Sequence, residues 1–123
     1  METISTEELS FVGSGLARPE CVVVTRTGEL SVSDKRGGVT VITPGGEQRL
    51  IAARGEAVPD GFITNGFSLC PDGSYLIANL GPSGGVYRLR RDGVLEAVLT
   101  EIDGQPLPPS NFVNRDEQGR VWV

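Results

Sequence analysis

Glycine punctuates this chain at a fixed interval, and that interval constrains the fold more than any other feature. Gly28, Gly73 and Gly119 lie 45 and 46 residues apart. Each follows an apolar stretch and precedes another, in the copies Cys21-Val-Val-Val-Thr-Arg-Thr-Gly28-Glu-Leu-Ser-Val-Ser-Asp34, Phe67-Ser-Leu-Cys-Pro-Asp-Gly73-Ser-Tyr-Leu-Ile-Ala-Asn79 and Phe112-Val-Asn-Arg-Asp-Glu-Gln-Gly119-Arg-Val-Trp-Val123. Two apolar runs around a polar turn that ends in glycine read as a β-hairpin. Gly37-Gly38-Val39 then answers Gly84-Gly85-Val86, and both open alternating strands (Val39, Val41; Val86, Leu89). A fourth strand closes each complete unit, over Gln48 to Ile51 and Leu95 to Thr100.

Four short strands per unit at this period are the pattern of a β-propeller blade, in which each small sheet buries its faces against its neighbours around a channel. A solenoid or sandwich is the competing all-β arrangement. The predicted organisation is an amino-terminal segment over residues 1–16 and an incomplete propeller over 17–123, with blades at 17–62, 63–108 and a truncated 109–123. About two and a half blades leave an apolar face and unpaired strand edges in water, which invites self-association. Either a longer protein or several copies would complete the ring.

The repeat also aligns oxygen-bearing side chains. Glu20, Asn65 and Asn111 each lie eight residues before a hairpin glycine. Equivalent positions converge around a propeller axis, so one carboxylate and two amides become candidate ligands for one hard cation. The hairpin register further predicts that Glu20 faces Asp34 and that Asn65 faces Asn79, placing both pairs at one mouth of the channel. An all-oxygen set without histidine or a thiolate cluster suits Ca²⁺ better than Zn²⁺, with Mg²⁺ as a further option. Three oxygen residues fall short of the six to eight that Ca²⁺ takes, so water, substrate or further blades would supply the rest. The competing reading is that these residues end strands or form side-chain turns, and it applies most directly to Asp34 and Asn79.

Composition removes several classes of function. With 16 acidic against 11 basic residues, a net charge of −5 and no basic cluster longer than Arg88 to Arg91, the chain lacks a nucleic-acid footprint or a surface suited to anionic membranes. No apolar stretch approaches membrane-spanning length, and Met1-Glu-Thr-Ile-Ser-Thr-Glu-Glu lacks the basic start and apolar run of a secretory signal, so a cytoplasmic location is the default expectation. Cys21 and Cys70 fall in predicted strands and read as small buried hydrophobes. The absence of histidine excludes a Ser-His-Asp triad. Gly13-Ser-Gly15 is a loop, and Gly81-Pro-Ser-Gly-Gly85 connects two strands of a blade.

Arg18-Pro-Glu20, Asn65-Gly-Phe-Ser-Leu-Cys-Pro-Asp-Gly73 and Leu107-Pro-Pro-Ser-Asn111-Phe-Val with Gly119-Arg-Val-Trp together resemble the senescence marker protein, gluconolactonase and luciferin-regenerating enzyme-like family. The resemblance spans residues 17–123 and only the first part of that family's domain. It implies a six-bladed propeller with one divalent metal at the channel mouth and hydrolysis of a lactone or another carboxylic ester. By the same resemblance Glu20 is a metal ligand, and Asn111 lies beside the metal and the substrate. Asn65 occupies the intervening equivalent position, where members of that family vary, and its role as a substrate contact is inferred from the repeat more than from the resemblance. The family's catalytic aspartate belongs to later blades, so no catalytic base is assigned within this chain. Pro109 and Phe112 stand where sugar-acid lactonases often carry Arg and Asp, and Phe112 suits a more apolar lactone or ester. The alternative function is a non-catalytic propeller-type binding module.

Overall fold

The computed structural model describes residues 3–123. Apart from a single 3-10 turn over Thr6–Glu8, its regular structure is entirely β. The first sheet contains β1 (Val22–Val24), β2 (Leu30–Asp34), β3 (Gly38–Ile42) and β4 (Gln48–Ala52), hydrogen-bonded in that order. The second contains β5 (Thr64–Leu69), β6 (Tyr75–Asn79), β7 (Val86–Leu89) and β8 (Leu95–Leu99), again in chain order. A small hairpin, β9 (Glu101–Ile102) with β10 (Gln105–Pro106), follows, and β11 (Asn114–Arg115) with β12 (Val121–Trp122) begins a third unit. Every strand pair within the sheets is antiparallel. The chain is a partial propeller: two complete four-stranded blades and the first hairpin of another.

The repeating glycines work as the sequence implies. Gly28, Gly73 and Gly119 have φ of +83°, +84° and +81°, and each donates its N–H to the carbonyl three residues back, on Thr25, Cys70 and Asp116. A backbone in the left-handed region after a tight turn closes a three-residue hairpin loop, and glycine adopts it without a Cβ penalty. Identical turns give the three hairpins the same aim.

The two sheets pack face to face. Val39, Val41 and Ile51 of the first meet Phe67, Tyr75, Ile77, Tyr87, Leu89 and Leu95 of the second, with Phe62 at the rim. Phe67 and Tyr75 stack edge to face at 5.5 Å, and Phe62 and Tyr87 do so at 5.4 Å. The Tyr75 hydroxyl crosses the interface to hydrogen-bond Ser31 Oγ at 2.9 Å, satisfying two buried polar groups together. Arg91 adds a second tie: it pairs with Glu29 at 3.0 Å, donates to the Gly73 carbonyl at 2.8 Å and lies 5.0 Å over the Tyr75 ring. A smaller cluster of Cys70, Leu76, Ala78, Val86 and Val113 joins the second sheet to the third unit.

The opposite face of the first sheet is covered by the amino-terminal segment. Val32, Thr40 and Ile42 are buried there. Gly13 lies so close that an added Cβ would meet Ile42 Cδ1 at 2.9 Å. Ser14 and the Gln48 side chain exchange two hydrogen bonds of 3.0 and 2.7 Å, and Lys35 N–H donates to the Ala17 carbonyl at 2.8 Å.

The hairpin register matches the expectation within the ladders and departs from it at two points: β1 begins at Val22, so Glu20 lies outside the ladder and the expected Glu20–Asp34 pairing is not formed, and the second hairpin carries a bulge. Val22 faces Val32 and Phe67 faces Ile77, as the glycine spacing requires. A bulge between Thr64 and Phe67, however, places Thr64 opposite Asn79 and removes Asn65 from that pairing. The extra residue is accommodated at Asn65-Gly66, which turns instead toward the third unit. The β9–β10 hairpin was absent from the sequence reading. Its signal is Asp103-Gly104, both residues with positive φ, the combination that a two-residue hairpin loop requires.

Candidate functional site at the channel wall

The first strands of the three units, β1, β5 and β11, lie side by side. Between them is an open cleft of about 490 Å³, lined by Glu20, Cys21, Val22 and Val23 from the first unit, Phe67, Ser68 and Leu69 from the second, and Phe112, Asn114 and Arg115 from the third. The cleft corresponds to the wall of the channel expected from the repeat. Glu20 and Phe112 therefore share one surface although 92 positions separate them in the chain.

Asn65 and Asn111 meet directly. Asn65 is buried, and its Nδ2 donates to both the backbone carbonyl and Oδ1 of Asn111, each at 2.8 Å. Gly66 N–H donates to the same Asn111 carbonyl at 3.0 Å. The bulge thus converts a strand position into a clamp on the neighbouring unit. With both Asn65 amide hydrogens committed in this way, its Oδ1 has no donor among the described residues. One residue earlier, Thr64 Oγ1 is buried without a hydrogen-bond partner among the described residues.

Phe112 approaches the channel over Gly66. A Cβ at residue 66 would sit 2.1 Å from Phe112 Cδ2 and 2.8 Å from its Cα, so only glycine admits this contact. The Phe112 ring remains 50% exposed. Glu20 lies just before β1, at a turn in which its N–H donates to the Arg18 carbonyl at 3.0 Å, and its carboxylate is ion-paired with the Arg18 guanidinium. Both side chains are exposed, which keeps the pair weak and exchangeable.

Asp34 and Asn79 occupy equivalent buried positions and hold the loops that follow them. Asp34 accepts from Arg36 N–H at 3.0 Å, from the Arg36 guanidinium at 2.8 and 2.6 Å and from Thr40 Oγ1 at 3.1 Å. The Arg36 contact holds its pKa down at about 2. Asn79 accepts from Ile63 N–H and Gly81 N–H at 3.0 and 2.8 Å and donates to the Gly84 carbonyl at 2.9 Å. These contacts occupy both side chains with loop support.

Sequence reasoning did not single out Ser68, Asn114 or Arg115. Ser68 Oγ donates to the Val113 carbonyl at 3.1 Å and accepts from Arg115 N–H at 3.1 Å, closing the seam between the second and third units. Ser68 and Asn114 each lie three residues after Asn65 and Asn111, where the first unit has Val23. The repeat register contained that signal. Among the described residues no three acidic or cysteine side chains gather as a metal cluster, so a cation here would rely on amide oxygens. The structure joins Asn65 to Asn111, whereas Glu20 lines the cleft with Phe112 and neither amide lines it, so the three are not gathered around one point; their oxygen donors are of the types that suit a hard cation.

No protein-family model and no curated protein sequence matches the chain, so the gluconolactonase-like resemblance has no support from that side. Solved structures do match. A catalytically inactive variant of virginiamycin B lyase from Staphylococcus aureus with quinupristin, a propeller-fold enzyme, is 15% identical with a TM-score of 0.64, covering 90% of this chain. A protein of unknown function from Bacteroides caccae is 23% identical with a TM-score of 0.55, covering 84% of this chain. The chain spans 36% of the length of each. At these identities the likeness is one of fold. No helix among the described residues is long and apolar enough to cross a membrane.

Proposed function

We propose that this chain provides the metal-binding wall of a propeller hydrolase acting on lactones or other carboxylic esters. The observation that carries the reading is the contact between Asn65 and Asn111, two amides equivalent in the repeat, next in sequence to Phe112, which shares a cleft with the equivalent Glu20. Glu20 and Asn111 are the residues that would hold the cation, Ca²⁺ by preference and Zn²⁺ or Mg²⁺ otherwise. Asn65 and Phe112 would bound the substrate, the amide oriented by its bonds to Asn111 and the ring offering an apolar wall. Such a cation would polarise the ester carbonyl and acidify a water.

The remaining chemistry requires a base, and Glu20 is the one carboxylate lining the cleft. As a cation ligand it is not free to accept the proton of the attacking water. Asp34 is buried against Arg36, with a pKa of about 2 that suits a structural anion rather than a base. The 123-residue chain is therefore expected to bind metal without turning over a lactone.

Thermal unfolding with added Ca²⁺ tests this. A ligand that binds only the folded state at a hundredfold excess over its Kd stabilises by about 2.7 kcal/mol. The midpoint should rise with Ca²⁺ in the wild type and stay fixed in Glu20→Ala. A wild-type midpoint that ignores the ion, or an equal rise in the variant, would favour the non-catalytic binding module. The Arg18–Glu20 ion pair, which already neutralises the proposed ligand, is the observation in favour of that second reading.

A further inference from the structure

At the end of the first hairpins opposite Glu20, the three glycine-closed loops border a second cleft, of about 970 Å³. Its walls include Arg26 from the first loop, Leu69 and Pro71 from the second hairpin, and Arg115 and Glu117 from the third. Arg26, Pro71 and Glu117 each stand two residues before a hairpin glycine, so the repeat itself brings the loops around one opening. This cleft shares Leu69 and Arg115 with the channel-wall cleft, and the two adjoin along the seam between the second and third units. None of the residues proposed to hold the cation or the substrate lines it.

The charges here are arranged unlike those elsewhere in the chain. Arg18, Arg36, Arg88, Arg90, Arg91 and Arg120 each pair with a carboxylate. Among the described residues Arg26 and Arg115 pair with none, although acidic residues outnumber basic ones by 16 to 11. The two carboxylates that line the cleft leave them free. Asp116 is held by the Arg120 guanidinium at 2.7 Å and the Trp122 indole N–H at 3.1 Å, while Glu117 is exposed in its loop and pairs with neither arginine. Arg115 projects from a fixed backbone, paired with Val121 and held by Ser68 Oγ at 3.1 Å. Two guanidinium groups from different units, beside an apolar floor of Leu69 and Pro71, make a receptor for an oxyanion, because each presents parallel N–H donors that match its geometry.

We propose that this cleft binds a carboxylate, or a like oxyanion, carried by the molecule that occupies the channel, with Arg115 as the principal anchor and Arg26 as the second. Three residues separate Phe112 from Arg115, about 10 Å of extended chain. Resting on the hydrolase reading above, the substrate class narrows to esters or lactones with an acid group about that far from the reacting carbonyl. Arg115 then sets the direction in which such a molecule lies, acid toward the hairpin loops and ester toward Phe112.

Calorimetric titration of the chain without divalent ions tests the proposal. The probe is monomethyl suberate, an ester with a free carboxylate at its other end; dimethyl suberate is the uncharged control of the same length, and sodium sulfate is the free anion. The wild type should bind the monoester roughly tenfold more tightly than either control, the gain expected for a hydrogen-bonded charge pair at an open site. Arg115→Ala should reduce monoester binding to the level of the diester, Arg26→Ala should cost less, and Arg115→Lys should keep part of the gain. Both arginines are exposed, so circular dichroism should be unchanged in every variant. No binding of the monoester, equal binding of monoester and diester, or monoester binding undiminished in Arg115→Ala overturns the proposal. Sulfate that binds as tightly as the monoester overturns it too, since the site would then take a free anion rather than one tethered in the channel. The two readings fail separately: a thermal midpoint that ignores Ca²⁺ alongside Arg115-dependent monoester binding strikes the cation site alone, and the reverse pattern strikes the anion site alone.

Discussion

Asp34 and Asn79 show how one position in a repeat can carry different chemistry on the same structural task. Both are buried at the end of a second strand, and both bind the first residues of the following loop. Asn79 does so with a neutral amide, whereas Asp34 recruits Arg36 as its counter-ion. The Asp34 pKa of about 2 lies below the ordinary 3.8, so its contribution to stability is present in full above that ordinary value. It is lost as pH falls toward 2, because the unfolded chain takes up the proton first. Asp34→Asn should therefore cost about 1 to 2 kcal/mol at neutral pH, a figure reduced for the exposure of Arg36. It should also flatten the acid-unfolding curve between pH 4 and 2, measured by urea midpoints across that range. The sequence shows that these two residues are equivalent and oxygen-bearing. It does not show whether their oxygens face a channel or their own loops, because that depends on where the next two residues place their N–H groups.

Strand and hairpin placement was legible because its causes are local. Glycine as the last residue of a three-residue loop sets the turn, the turn sets the register, and the register fixed the pairing of Val22 with Val32 and of Phe67 with Ile77. The Asn65-Gly66 bulge was not legible, because its cause is the neighbouring unit. Gly66 N–H and Asn65 Nδ2 leave the strand to bind the Asn111 carbonyl, and the missing Cβ at residue 66 admits the Phe112 ring. Gly66→Ala should accordingly act on the third unit more than on the sheet that contains it. One of the clashing atoms is the Phe112 backbone Cα, which a rotamer change cannot move, so the cost should be about 1 to 3 kcal/mol, as for other overpacked sites. Fluorescence of Trp122, the only tryptophan in the chain, provides the local readout. Its emission should shift in Gly66→Ala while the far-ultraviolet signal of the two complete sheets is retained.

At the scale of the molecule, the stack is held unequally along its length. Ten buried side chains fill the interface between the two complete sheets, against five between the second sheet and the third unit. β6 is paired on both edges and entirely buried, whereas β11 and β12 contribute two exposed residues each. Opening free energies follow buried contacts and protected backbone, so the third unit should open well before the sheets unfold. Amide exchange followed by mass spectrometry should place residues 75–79 and 86–89 among the slowest and residues 114–123 among the fastest. The backbone N–H of Arg115, held by Ser68 Oγ, should be slower than its neighbours.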